Sequence, residues 1–211
     1  MVSGYFGVPG CGKSTLLTMF AQKELKRMEK GKSKYKYIYS NFYVNGCLQF
    51  ELADLGKYYF HDALILIDEI TLDADSRDFK TFPKQLKKFF TLHRHCNCDI
   101  RYFCQDYERC DKTIRNVTYD LWAVSRSVVP FFRRFCVARR IFRKLNINEF
   151  TSELVIGYRF SKFTERIFSS TAKICYMPRW WPFFDSYEKY GFDELPDPDH
   201  FYWNGDAEDP P

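Results

Sequence analysis

Short apolar segments alternate with segments of helical periodicity over the first 128 residues of the chain. Segments with the composition of β-strands lie at residues 2–6, 35–40, 63–67, 100–104 and 121–124. The spacing of apolar positions predicts helices at 13–30, 82–96 and 111–116. Strands that alternate with helices in this way pack as a parallel sheet with helices on both faces. The pattern therefore predicts an α/β fold with a doubly wound, mostly parallel sheet.

Two of these elements carry a more specific signature. The run from Ala63 to Ile67 is apolar at every position, which is typical of a strand buried on both faces. In the helix at 82–96, Pro83 suits the first helical position. One face of that helix is apolar and carries Leu86, Phe89, Phe90 and His93. A turn after Asn41 and a short strand at 47–52 predict an excursion from the main sheet.

The first strand leads into the segment GVPGCGKS at 7–14, which matches the phosphate-binding pattern GxxxxGK[ST]. Its glycines let the backbone turn so that successive N–H groups point at phosphate oxygens. Lys13 can then reach the β- and γ-phosphates, and the hydroxyl of Ser14 can ligate Mg²⁺. The following helix directs its N-terminal dipole at the same phosphates. We therefore expect ATP to be bound by Gly7, Gly10, Cys11, Gly12, Lys13, Ser14 and Thr15.

Polar residues at the ends of two later strands fit the chemistry of ATP hydrolysis. Asp68 and Glu69 follow the buried strand directly, and Gln105 follows the strand at 100–104. Asp68 is expected to ligate Mg²⁺ together with Ser14, while Glu69 accepts a proton from the attacking water or orients it. Gln105 can sense the γ-phosphate or place the water. The phosphate loop and the acidic pair together favour hydrolysis over binding alone, with ATP and Mg²⁺ as the ligands.

Cysteine usage and hydropathy indicate a soluble protein of a reducing compartment. The chain has eight cysteines and no secretory leader before the phosphate loop, so free thiols are expected. No apolar run approaches the roughly 20 residues of a membrane span. We expect a cytoplasmic location, with a peripheral position at the inner membrane as a further option.

Charge is distributed unevenly along the chain. Residues 185–211 contain nine acidic residues and one lysine, so the remainder is more basic than the net charge of +5 indicates. Residues 126–144 contain seven basic residues and no acidic one, interleaved with Phe131, Phe132, Phe135 and Phe142. Two interpretations stay open for this segment. It contacts nucleic acid by charge and stacking, or it forms a hairpin at the sheet edge with phenylalanines toward the core and arginines toward solvent.

These patterns predict a division of the chain into three parts. Residues 1–128 form the nucleotide-binding domain, 129–184 a basic and aromatic extension that packs on it, and 185–211 an acidic, partly disordered tail. Within the extension, Trp180 and Trp181 are expected to pack against the body of the protein, because burial is the usual fate of such clusters. A zinc site at His93–Cys98 is not expected, because the paired CxxC spacing is missing.

Three segments together resemble the Zot (zonular occludens toxin) domain, a family of P-loop ATPases that includes the assembly proteins of filamentous phages. They are GVPGCGKST at 7–15, ILIDEI at 65–70 with Arg77 after it, and FFTLHRHCNCDIRYFCQDYERCDKTIR at 89–115. The resemblance covers about residues 1–128. It implies a P-loop NTPase fold and an ATPase related to HerA- and FtsK-type motors. Such a motor powers virion assembly or moves single-stranded phage DNA.

The resemblance also implies roles for particular residues, and partners. The active-site roles fall on Lys13, Ser14, Asp68, Glu69 and Gln105. Arg115 becomes the candidate arginine finger that reaches a neighbouring subunit, ahead of Arg77 and Arg94. A homo-oligomer, such as a hexamer, and virion or membrane-anchored assembly proteins are the implied partners. Many family members continue into a transmembrane helix that this sequence does not contain, which leaves room for a soluble packaging motor or a motor that docks on a separate membrane protein.

Two other functions remain compatible with the motifs. A nucleotide kinase would need a substrate lid, and no arginine-rich lid is recognisable between Gln105 and Leu121. A nucleotide-gated interaction module would use ATP to order a surface without processive turnover. Stimulation of hydrolysis by DNA would separate a motor from both alternatives.

Overall fold

The computed structural model describes residues 1–70, 84–127, 130–147, 154–161 and 171–184. The predictions for Arg77, for Pro83 and for the acidic tail therefore lie outside the described residues. The helices and strands are β1 (Val2–Phe6), α1 (Lys13–Glu29), β2 (Tyr37–Ser40), β3 (Leu48–Gln49), β4 (Ala63–Ile67), α2 (Lys84–Leu92), β5 (Asp99–Cys104), α3 (Lys112–Val117), β6 (Asp120–Arg126), β7 (Phe135–Ile147), β8 (Leu154–Phe160) and β9 (Ala172–Tyr176).

Nine strands within the described ranges form one sheet, in the order β3-β2-β4-β5-β1-β6-β7-β8, and β9 also pairs with β7. The strands from β3 to β6 in this order are parallel to their neighbours. β7 runs antiparallel to β6, and β8 and β9 run antiparallel to β7. The prediction of a mostly parallel sheet is thus confirmed. Because parallel strands share a carboxyl edge, the segments that follow β1, β4 and β5 emerge side by side.

Strand β4 shows how the two faces of the sheet are covered. Its successive side chains point to opposite faces, and all five are fully buried. Leu64 and Leu66 pack in the cluster around α1, with Leu16, Leu17 and Phe20. Ile65 and Ile67 pack in the cluster that contains Leu86, Phe89 and Phe90 of α2 and Ile114 of α3. Helices therefore cover both faces, as the doubly wound prediction requires.

The predicted apolar face of α2 is present, although the helix ends at Leu92, before the predicted end at residue 96. Leu86, Phe89 and Phe90 are buried, and His93 is buried just beyond the helix end at Leu92. The ring nitrogen Nδ1 of His93 lies 2.7 Å from the carbonyl oxygen of Phe90. The buried face with which the helix packs against the sheet therefore extends to this histidine. Among the described residues, no group of His, Cys, Asp and Glu has the arrangement of a metal site.

The basic segment differs from the hairpin interpretation in one respect. β6 and β7 do form an antiparallel hairpin, and Cys136 and Ala138 of β7 are buried against the α1 face. Phe131 and Phe132, however, are 95% and 53% exposed. The part of the hairpin interpretation that turns phenylalanines toward the core does not hold for these two rings, which lie in the turn before β7. We call residues 131–134 the basic turn, since Arg133 and Arg134 are exposed beside the two rings.

The aromatic segment at the end of the described chain is divided between core and surface. Trp180 is 5% exposed and belongs to the α1 cluster, as expected for this segment, whereas Trp181 is 50% exposed. Of the short strand predicted at 47–52, only Leu48 and Gln49 are in strand conformation, and they pair with β2 at the edge of the sheet. No described helix is long and apolar enough to span a membrane.

Packing of α2 on the sheet can be tested within one helix. Phe90 is fully buried, so Phe90→Ala is expected to lower the free energy of unfolding by about 3–5 kcal/mol through lost burial and a residual cavity. Leu92, in the same helix, is 38% exposed, and Leu92→Ala is expected to cost about 1 kcal/mol or less. Urea denaturation followed by circular dichroism measures both values. Similar losses for the two variants would contradict this packing.

Candidate functional site

The loop between β1 and α1 has the backbone that its glycines predict. Gly10 and Gly12 have φ values of 72° and 97°, in the left-handed region that other residues rarely adopt. Gly12 is also the N-cap of α1, and its carbonyl oxygen accepts the first helical hydrogen bond, from Leu16 N–H at 2.9 Å. A Cβ atom at Gly12 would lie 2.8 Å from Met177 Sδ. Glycine is therefore required at this position for both conformation and space.

The side chain of Lys13 folds back over the phosphate loop. Its Nζ donates hydrogen bonds to the carbonyl oxygens of Gly7, at 2.8 Å, and Val8, at 3.2 Å. The side chain is largely buried, so its charge is directed inward over the loop. Cys11 is also buried there, and its N–H donates to the carbonyl of Val8 at 3.3 Å. Burial raises the pKa of the Cys11 thiol, so its sulfur stays protonated and the residue contributes its backbone.

Asp68 is the point where three elements meet. The hydroxyl of Ser14, in the first turn of α1, donates a hydrogen bond to Asp68 Oδ2 at 2.6 Å. Asn41, directly after β2, contacts the backbone of Asp68 twice. Its Nδ2 donates to the Asp68 carbonyl at 2.9 Å, and its Oδ1 accepts from the Asp68 N–H at 2.7 Å. Burial raises the pKa of the Asp68 carboxyl, and the hydrogen bond from Ser14 opposes this effect.

The role of Asn41 was not predicted from the sequence. Its signal was present, because the residue ends the strand that pairs with β4, and polar residues at the carboxyl edge of a parallel sheet face the ligand. What the sequence did not contain was the pairing itself. Only the adjacency of β2 and β4 brings Asn41 to Asp68.

Glu69 has a backbone conformation that suggests a function. Its φ of 51° lies in the left-handed region, which is uncommon for a residue other than glycine. The next residue, Ile70, is fully buried and donates its N–H to the carbonyl of Phe103 at 3.0 Å. This anchor holds the unfavourable turn at Glu69, and such strain concentrates at functional sites.

These residues surround a cavity of about 270 Å³. Its lining residues are Gly10, Gly12, Lys13, Ser14, Thr15, Asp68, Glu69, Arg126, Met177, Trp181 and Phe184. Hydroxyl and carboxylate oxygens are the ligands that Mg²⁺ prefers, so Ser14 and Asp68 fit this ion. The positive helix N-terminus and Lys13 fit the phosphates of a nucleotide. Sequence reasoning did not assign Arg126, Met177, Trp181 and Phe184 to this site.

Gln105 and Arg115 lie in a second, larger cavity of about 990 Å³. It borders the phosphate loop from Gly7 to Cys11, and its other walls come from the segment after β5, from α3 and from β6, β7 and β8. Gly10 and Arg126 border both cavities. The structure thus brings together Lys13, Ser14, Asp68 and Glu69 in the smaller cavity. The two remaining predicted catalytic residues, Gln105 and Arg115, line the adjacent larger cavity.

Several solved structures are similar to this chain. The N-terminal domain of zonular occludens toxin from Neisseria meningitidis superposes with a TM-score of 0.50 at 12% identity, covering 87% of this chain and 98% of that one. The genome packaging NTPase B204 from Sulfolobus turreted icosahedral virus 2, in complex with ATP-gammaS, has a TM-score of 0.45 at 11% identity, covering 74% and 95%. The flagellar accessory protein FlaH from Methanocaldococcus jannaschii has a TM-score of 0.45 at 12% identity, covering 76% and 89%.

The sequence itself matches one family description. No curated protein sequence matches the chain. The family model described as zonular occludens toxin (Zot) matches residues 24–149, which is more than half of the chain. The match begins within α1 and continues through β7. The protein therefore has a P-loop NTPase fold and belongs to the zonular occludens toxin (Zot) family.

Proposed function

We propose that this protein is a viral assembly ATPase, which binds and hydrolyses ATP to drive virion morphogenesis or the movement of single-stranded DNA. The observation that carries the proposal is the contact between Ser14 and Asp68 at 2.6 Å, with Lys13 and Glu69 in the same cavity. This contact connects the end of the phosphate loop to Asp68 and Glu69, the carboxylate pair that follows β4. Membership of the Zot family supports the assembly role.

The chain's own residues have separable tasks in this proposal. Backbone N–H groups of the loop bind the phosphates, and Lys13 exchanges the carbonyls of Gly7 and Val8 for phosphate oxygens. Ser14 and Asp68 would hold Mg²⁺, which when bound neutralises charge on the phosphates. Glu69 accepts the proton of the attacking water. Asn41 keeps Asp68 in place through its two backbone contacts.

A nucleotide-gated assembly module is the second candidate, and one observation favours it. Gln105 and Arg115 do not share the cavity of Lys13, Asp68 and Glu69. A complete hydrolytic site therefore requires a movement of the phosphate loop or a contribution from another subunit. A protein that performs this rearrangement without rapid turnover would act as a switch.

Steady-state hydrolysis tests the role of Glu69. Glu69→Gln is expected to lower the rate of ATP hydrolysis by about 100- to 10,000-fold while ATP still binds, because the general base is lost. Lys13→Ala is expected to lose both binding and turnover. Glu29→Gln serves as the control, since Glu29 is exposed at the far end of α1. Normal turnover in Glu69→Gln would mean that another group accepts the proton.

Mixing of variants tests whether Arg115 acts across a subunit boundary. Arg115→Ala and Lys13→Ala are each expected to be inactive as pure proteins. If Arg115 acts on a neighbour, mixed oligomers contain some sites with both residues intact, so part of the activity returns. Measurement of ATPase activity against the mixing ratio detects this. Complete absence of recovery would place Arg115 in its own chain's site, where it lines the larger cavity.

The basic turn is the proposed contact for single-stranded DNA. Phe131 offers an exposed ring for base stacking, and Arg133 and Arg134 offer exposed charge for phosphates. The double variant Arg133→Ala/Arg134→Ala is expected to weaken DNA binding and to lower the slope of log affinity against log salt by about 1–2. Fluorescence anisotropy with labelled DNA at several salt concentrations measures both effects.

The matched control for this experiment is Lys30→Ala/Lys32→Ala, which removes two equally exposed charges beyond α1. Equal losses in the two double variants would indicate attraction by net charge alone and would contradict a specific contact. Stimulation of ATP hydrolysis by the same DNA, rising with protein concentration, is expected for an oligomeric motor.

A further inference from the structure

One side of the smaller cavity has a composition that the phosphate chemistry does not explain. Met177, Trp181 and Phe184, which we call the aromatic wall, line it together with Ser14 and Thr15 at the start of α1. Phosphates and Mg²⁺ are bound by N–H groups, lysine, hydroxyl and carboxylate. A thioether and two aromatic rings offer no such group. They fit an apolar, planar ligand that is continuous with the phosphates.

Trp181 has the exposure of a stacking residue. It is 50% exposed, whereas its neighbour Trp180 is 5% exposed. Trp180 packs on Phe183 with ring centroids 6.2 Å apart, and Phe184 packs on Phe42 at the same distance. Within the described ranges, the ring of Trp181 contacts no other aromatic ring. It is thus a large flat surface at the rim of a cavity that is fitted for phosphates.

The aromatic wall is held rigidly before any ligand arrives. The N–H of Met177 donates to the carbonyl of Arg134 at 2.9 Å, and Asn45 N–H donates to the carbonyl of Phe183 at 2.8 Å. Phe184 also forms an isolated bridge with Val44. The segment is therefore fixed both to the turn before β7 and to the loop after β2. A preformed surface loses little conformational entropy when it binds a ring.

We propose that the aromatic wall is the base-binding part of the nucleotide site and that Trp181 stacks on the base of a nucleoside triphosphate. The inference rests on the proposed function, because it assumes that the phosphate loop binds a nucleotide. It assigns recognition of the base to the extension at 171–184, outside the predicted ATPase domain. The larger cavity is the competing location for the base, and Tyr158 is its exposed ring.

Binding of two ligands to the full chain separates base from phosphates. Isothermal titration calorimetry with ATP and with inorganic triphosphate is carried out on each variant. Trp181→Ala is expected to weaken ATP binding by about 5- to 150-fold, which is the range that corresponds to loss of one stacked base. Binding of inorganic triphosphate is expected to stay within twofold, since it has no base. Trp181→Phe is expected to retain most of the ATP affinity.

Two control variants locate the effect. Tyr158→Ala is expected to leave ATP binding unchanged, and a loss in Tyr158→Ala with none in Trp181→Ala would place the base in the larger cavity and overturn the proposal. Tyr119→Ala removes a ring that is 67% exposed just before β6. Tyr119 lies at the amino end of this strand, whereas the phosphate loop follows the carboxyl end of β1, so this variant is expected to have no effect. Equal loss of ATP and triphosphate binding in Trp181→Ala would also overturn the proposal.

Native tryptophan fluorescence tests the same proposal on the wild-type protein and on the conservative variant Trp181→Phe. ATP is expected to alter the emission of the wild-type protein, inorganic triphosphate is not, and Trp181→Phe is expected to lose most of the response. An unchanged response in Trp181→Phe would contradict stacking. Failure of the proposed function looks different, since the wild-type protein would then bind neither ligand and Lys13→Ala would change nothing.

Discussion

The carboxylate of Asp68 is the group on which the arrangement of the site depends. It is half-buried, and a carboxylate withdrawn from water is costly unless hydrogen bonds or a cation compensate for the lost hydration. Ser14 supplies one such bond, and its position is set by the start of α1. Asn41 fixes the backbone from the end of β2. Because all three side chains leave the same edge of the sheet, the order of the strands decides whether the site exists.

The extension after residue 128 contributes to the nucleotide-binding fold itself. β7 continues the central sheet beside β6, and β9 pairs with β7. Cys136 of β7 and Met177, directly after β9, pack in the same cluster as Leu16 and Leu17 of α1. The helix that carries the phosphate-binding residues is thus supported from β4 on one side and from the extension on the other. A boundary near residue 128 divides the sequence by composition, and the hydrophobic core continues across it.

The features that were predicted correctly from the sequence are those that depend on neighbouring residues in the chain. The bounds of β1 and β4 followed from their short, mostly apolar segments, and the turn of the phosphate loop followed from its glycines. Asn41 and Trp181 could not be assigned, because their proximity to the site depends on strands and turns that are distant in sequence. The sequence also left the exposure of Phe131 open. A phenylalanine beside arginines has the same pattern in a buried hairpin and in an exposed turn, and only the position of the covering helices separates the two.

Met177 gives the phosphate loop a direct structural connection to the basic turn. Its sulfur occupies the space that a Cβ at Gly12 would need, and its N–H is bonded to the carbonyl of Arg134. Gly12 directly precedes Lys13, whose ammonium group donates hydrogen bonds to the carbonyls of Gly7 and Val8 in the same loop. The start of α1 and the turn that carries Arg133 and Arg134 are therefore joined through a single residue, which packs on one and is hydrogen-bonded to the other.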